Sequence, residues 1–205
     1  MVPFLLCFLM HAIPAAHNYY QFTMPDQEIR QIILNAPKWD GNEGLERNTA
    51  DLLCEALSMA KAPKHLQISG AQADFFCDHA LDVALTARAY RLDPWIFAAL
   101  GTTESRWSPK AVSPKGACGL YQVMPHKGYP SCATMKKNHR QAILAGGKAL
   151  RMWLDFCEGD LECGLRSYNG GTRGPKMKDT AGFYRDIVDL TMRYKSVFER
   201  DLPTT

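Results

Sequence analysis

Ahead of Arg30 the chain has no basic residue, so it lacks the positive n-region that a secretory signal peptide places before its apolar core. The apolar stretch at 1–16 is interrupted by Pro3 and Pro14 and falls short of the roughly 20 residues that a membrane-spanning helix needs. No Cys-x-x-Cys spacing occurs, and the six histidines do not cluster at ligand intervals. That argues against zinc, and no metal site is expected. Low-complexity tracts and internal repeats are missing too, which excludes a solenoid and confines any disorder to the chain ends. From 105 to 129 there is neither Asp nor Glu. Acid–base chemistry centred there has one carboxylate to work with, Glu104.

What is present is an ordinary globular composition in 205 residues, the length of one domain or of a domain with an extension, and enough to bury a core. The chain divides into an apolar leader at 1–16, a helical extension at 17–69 and a domain at 70–200. The leader has three open readings: a signal peptide, with Ala15 and Ala16 before a cleavage site, a membrane-contacting segment, or a buried anchor. Charge is uneven. Residues 1–105 hold 7 Lys/Arg against 12 Asp/Glu, and residues 106–205 hold 17 against 9. A basic half attracts a polyanion, although a surface kept charged for solubility explains the same numbers.

The most informative stretch is 93–125. Asp93-Pro94 starts a helix, with a capping carboxylate followed by proline at the first helical position. The apolar run from Trp95 to Leu100 is dense enough for burial on several faces. The next strong breaker is Pro109, so the helix is expected to reach Glu104-Ser105. A carboxylate on the last turn meets the partly negative helix end in a desolvated setting, and both favour its protonated form. That form is a general acid. Residues 111–125, rich in Gly, Pro and small side chains, then form a compact ordered loop.

Three pieces in this order, Glu104-Ser105, the loop ending Gly119-Leu120-Tyr121-Gln122, and Tyr168-Asn169-Gly170-Gly171, resemble the lytic transglycosylase (SLT) domain family of lysozyme-like proteins. The resemblance covers about 75–195. It implies a mainly α, lysozyme-like fold, α+β at most through a small hairpin near the catalytic loop. It also implies a peptidoglycan glycan strand as partner, with no cofactor and no nucleic acid. Glycoside hydrolysis ordinarily takes two carboxylates, whereas the resemblance implies a route that needs one. Glu104 protonates the oxygen bridging N-acetylmuramic acid and N-acetylglucosamine, then takes the proton of the muramyl C6 hydroxyl as a 1,6-anhydro ring closes.

Carried over position by position, Ser105 helps hold the acid and Ser113 bonds near acid and substrate. Gly119 lets the sugar approach the backbone, and Gln122 contacts the glycan. Tyr121 stands at the cleft floor where many members have methionine. Tyr168 and Asn169 lie near the acid, Tyr168 being the one to touch Glu104. Cys118 and His126-Lys127 have no place in the family pattern. The resemblance implies action in the periplasm at the wall, reached by export or from a phage virion, with 1–69 available to partner proteins of a secretion apparatus or virion. A hydrolytic muramidase on the same fold and a non-catalytic wall-binding module are the alternatives.

Helices are expected at 26–35, 44–60, 71–90, 136–156, 161–171 and 183–198. At 44–60 the apolar face is Leu45, Leu52, Leu53, Ala56, Leu57 and Ala60. At 136–156 it is Ala142, Ile143, Ala145, Leu150 and Leu154. Asp74, Asp78, Asp82 and His79 read as a solvated face. Apart from Cys7 there are six cysteines, an even number that suggests disulfides, with buried free thiols as the alternative. Cys118 with Cys132 and Cys157 with Cys163 are close enough in the chain to clip loops; Cys54 with Cys77 would then tie the N-terminal helices to the domain. Disulfides would place the fold outside a reducing cytoplasm.

Overall fold

The computed structural model describes residues 44–199; the leader at 1–16 and the helix expected at 26–35 lie outside them. The described residues form α1 (Gly44–Met59), a 3-10 turn (Lys64–Leu66), α2 (Gly70–Ala89), α3 (Pro94–Ser105), α4 (Cys132–Lys137), α5 (His139–Phe156), α6 (Leu161–Gly170), a 3-10 segment (Gly171–Lys176) and α7 (Lys178–Glu199). Among them there is no sheet. The hairpin reduces to two isolated antiparallel bridges, Val112 with Cys118 and Cys118 with Val123.

Helix α3 is the hub. Phe97, Ala98, Ala99, Leu100, Gly101 and Thr102 are buried in succession, because α1, α2 and α7 all pack around it. Around this centre α1 buries Leu53, Ala56 and Leu57, the i, i+3, i+4 pattern of a single apolar face. Leu52, expected on that face, sits one residue and about 100° away from Leu53 and is 40% exposed. In α5 all five expected core residues are buried, and each Leu or Ile contributes about 1.5–3 kcal/mol on burial. The helix expected at 136–156 is nevertheless two helices. Asn138 closes α4 and caps α5, its side chain accepting from Gln141 N. A capping Asn offers the backbone a local bond in place of continued helix.

Gly146 and Gly147 stand inside α5, where each costs about 1 kcal/mol relative to alanine. Tertiary contact explains them: the Tyr121 ring lies against Gly146, and Thr86 and Tyr90 lie against Gly147. A Cβ on Gly146 would overlap the Cβ and Cγ of Tyr121, whose ring is held by stacking on Phe97 at 4.3 Å and by the edge of Trp107 at 5.6 Å. Gly146→Ala should therefore destabilise by about 1–3 kcal/mol despite its better helix propensity. A denaturation midpoint at or above that of the unaltered protein would contradict this packing.

The four side chains read as a solvated face on α2 are partly engaged instead. Asp82 Oδ1 accepts from Arg140 Nε at 2.7 Å, and His79 stacks on Phe75 and lies 3.1 Å from His139 Nδ1. Both contacts join α2 to α5, which sequence spacing within α2 alone does not reveal.

Candidate active site

The site begins with the caps of α3. Asp93 Oδ1 accepts from Trp95 N and Ile96 N at 2.8 and 3.1 Å, satisfying two of the free donors at the helix start. At the other end Arg106 and Trp107 both take positive φ, 53° and 60°, a conformation that costs non-glycine residues energy and persists only when neighbours enforce it. The enforcement is visible. Trp107 is fully buried, its Nε1 donates to Thr102 Oγ1 at 2.9 Å, and its indole occupies the space beside Gly101. Thr102 Oγ1 is in turn 2.9 Å from the Tyr194 hydroxyl of α7. This wedge ends the helix one residue after Glu104 and leaves the carboxyl at the mouth of a cleft.

The loop that follows is built around backbone carbonyls. Ser105 Oγ donates to Leu120 O at 2.7 Å, joining the residue after the acid to the loop. Gln122 is at φ 45°, and its Nε2 donates to Gly119 O and Ala111 O at 2.9 and 3.2 Å. Tyr168 donates its hydroxyl to Tyr121 O at 2.7 Å, so α6 grips the loop as well. A disulfide joins Cys118 to Cys132 at the start of α4. The other two are Cys157 with Cys163, which spacing also suggested, and Cys54 with Cys77, the pair that remained.

A cleft of about 570 Å³ opens beside this loop, and Glu104, Ser105, Gln122 and Asn169 line it. Burial pushes the Glu104 carboxyl up from 4.5 to about 8, although the residue keeps a partly exposed face toward the cleft. At neutral pH it is mostly protonated and within reach of a ligand. The Tyr168 hydroxyl is also raised, first by burial and then by the negative charge of Glu104. Tyr168 is thus near the acid, while its proton goes to the Tyr121 carbonyl.

Four of the expected site residues do not line the cleft. Tyr121 is fully buried between Phe97 and Trp107, so it supports the loop from beneath and presents no surface to a sugar. Gly119, at φ 73°, has the Met135 backbone of α4 where its Cβ would point, at 3.3 Å; the close approach it permits is by α4. Ser113 Oγ accepts from Ala117 N at 3.0 Å inside the loop. Tyr168 is half-buried and spends its hydroxyl on the Tyr121 carbonyl. In their place the fold brings in His65, Thr103, Arg106, Val112, Asp179, Phe183 and Asp186. Of these, Asp179, Phe183 and Asp186 are spaced as one helix face, a signal the sequence holds, but nothing in it shows which face meets Glu104. The basic excess of 106–205 is not concentrated here: among the described residues Arg106 is the only Lys or Arg lining the cleft, against Asp179 and Asp186. Among the described residues no group of three or more His, Cys, Asp or Glu is placed to hold a metal ion.

A helical domain with one desolvated acid at the rim of a polar cleft has the equipment of a general-acid enzyme acting on an extended ligand. Residues 83–184, about half of the chain, match the transglycosylase SLT domain family, and the chain belongs to that family. The transglycosylase of enterobacteria phage PRD1 is 35% identical over 112 residues, 53% of this chain and 42% of the phage protein. Among solved structures, the 70 kDa soluble lytic transglycosylase of Escherichia coli is 14% identical, with a TM-score of 0.48 over 84% of this chain and 33% of that one. The chain therefore spans less than half the length of the phage relative and about a third of the E. coli protein.

Proposed function

We propose that this protein is a peptidoglycan lytic transglycosylase with Glu104 as its acid and base. The observation that carries the reading is a Glu104 carboxyl at the wall of an open cleft, with its pKa pushed up by burial to about 8. A proton passes from Glu104 to the glycosidic oxygen between N-acetylmuramic acid and N-acetylglucosamine, and the muramyl C1–O bond breaks. The C6 hydroxyl of the same sugar attacks C1, and its proton returns to Glu104. The net reaction consumes no water, and the nucleophile is already held in place by the sugar ring.

In this scheme Ser105 and Tyr168 steady the acid through the loop carbonyls they bind, and Asn169 and the free oxygen of Gln122 face the glycan. Three disulfides support work at the cell wall outside a reducing compartment. Similarity to a phage transglycosylase supports delivery by a virion; export to the periplasm for a secretion apparatus is the other setting.

Asp179 and Asp186 favour a second reading. Carboxylates in the same cleft offer a base for water, which would make the enzyme a hydrolytic muramidase. Mass analysis of purified sacculi after digestion decides between them. The expected muropeptides carry anhydro ends, each lighter by one water than a reducing end; reducing ends alone would assign the hydrolytic route, and intact sacculi would leave a wall-binding module.

A further inference from the structure

Three of the cleft-lining residues, His65, Leu66 and Asp186, lie outside the 83–184 segment that matches the family. His65 and Asp186 are 121 positions apart, yet His65 Nε2 stands 3.1 Å from Asp186 Oδ2. On α7 the cleft-lining residues are Asp179, Phe183 and Asp186, a single stripe about 10 Å long at 1.5 Å per residue. Asp186 is the last of them, and there the connection between α1 and α2 crosses the helix. Two further contacts hold the crossing: Leu66 is buried beneath it, and Arg193, two turns further along α7, donates to Lys61 O at 3.0 Å.

We propose that the His65–Asp186 contact is a clasp that closes one end of the cleft and limits how many sugar units can bind beyond it. The inference rests on the glycan-cleaving reading above and adds a specificity to it: cleavage falls at a set distance from a strand end. The α7 stripe of the cleft stops at Asp186, where His65 stands, so a glycan running along Asp179 and Phe183 would meet the imidazole there. Both side chains are substantially exposed, 62% and 35%, so the pair contributes little to stability. Its removal opens the cleft without threatening the fold.

Binding of β-1,4-linked N-acetylglucosamine oligomers of increasing length, measured by calorimetry in a Glu104→Gln background, tests this without turnover. With the clasp intact, affinity should stop rising once the cleft is full. In His65→Ala/Asp186→Ala it should keep rising, by about tenfold or more for the longest oligomers, and the exchanged pair His65→Asp/Asp186→His should restore the plateau. A purely structural role would shift the melting temperature and leave the length dependence alone. In the active protein, the same double substitution should turn short, uniform early products from sacculi into a broad mixture. Identical length dependence with and without the clasp would overturn the proposal. If no form cuts sacculi but the binding difference persists, the catalytic reading fails and the clasp stands as a feature of glycan binding.

Discussion

Glu104→Gln is expected to lower glycan cleavage at least a hundredfold while leaving the helical fold and glycan binding in place. The amide preserves the shape of the carboxyl but can neither deliver nor retrieve a proton, and general acid–base catalysis is worth about 10²–10⁴-fold. The pH dependence carries the same signature. With the acid protonated below about 8, the rate should fall as pH rises through that value. Stability follows with a definite sign: a carboxyl whose folded value is raised from 4.5 to about 8 favours the folded state fully below 4.5, and this contribution is lost as pH climbs towards 8. Glu104→Gln removes that loss, so its melting temperature should gain on the unaltered protein between pH 5 and 8. Residual turnover above about one hundredth, or melting curves that stay parallel across this range, would remove Glu104 from the role.

Replacing Cys118 and Cys132 together by alanine should lower kcat by roughly ten- to a hundredfold with the helical circular dichroism retained. Cys118 is buried and sits at the crossing of both backbone bridges, with its N–H and C=O exchanged with Val123 at 3.1 and 3.2 Å. The residues just after it, Leu120 and Tyr121, supply the carbonyls that hold Ser105 and Tyr168. Closing a loop of this size, 14 residues, is worth about 3 kcal/mol in the chain-entropy treatment, and that amount spent on loop order corresponds to about a hundredfold in rate. Removing Cys157 and Cys163, which close a separation of 6 residues away from the cleft, should affect kcat far less. Equal activity of the Cys118/Cys132 variant and the unaltered protein would mean that the loop is held by its hydrogen bonds alone.

The start and end of α3 were legible because their causes are local. Asp93 and Pro94 set the cap, and the apolar run had to be buried. The position of Glu104 on the last turn follows from those residues and the breaker at Pro109. Cysteine pairing was only suggested: two of the three pairs close short separations, but six cysteines allow 15 pairings and the sequence does not choose among them. Tyr121, Gly119 and Ser113 were placed near the ligand by the family resemblance, and a loop has no periodicity that would separate its inner from its outer face. Packing made that choice: an aromatic ring can fill a core as readily as it can floor a cleft, and Gly146, 25 positions away, supplies the space that drew Tyr121 inward.

By itself, the sequence of this protein determined the helices whose caps and apolar stripes are local, the acid at the end of α3, and the family motifs around it. Only the tertiary structure decided that Asp179 and Asp186 share the cleft of Glu104, and that His65 meets Asp186. The physical reason is range. Caps and periodicity act over a few residues, whereas desolvation and cleft shape are sums over atoms from α1 to α7, and those sums exist only once the chain has closed on itself.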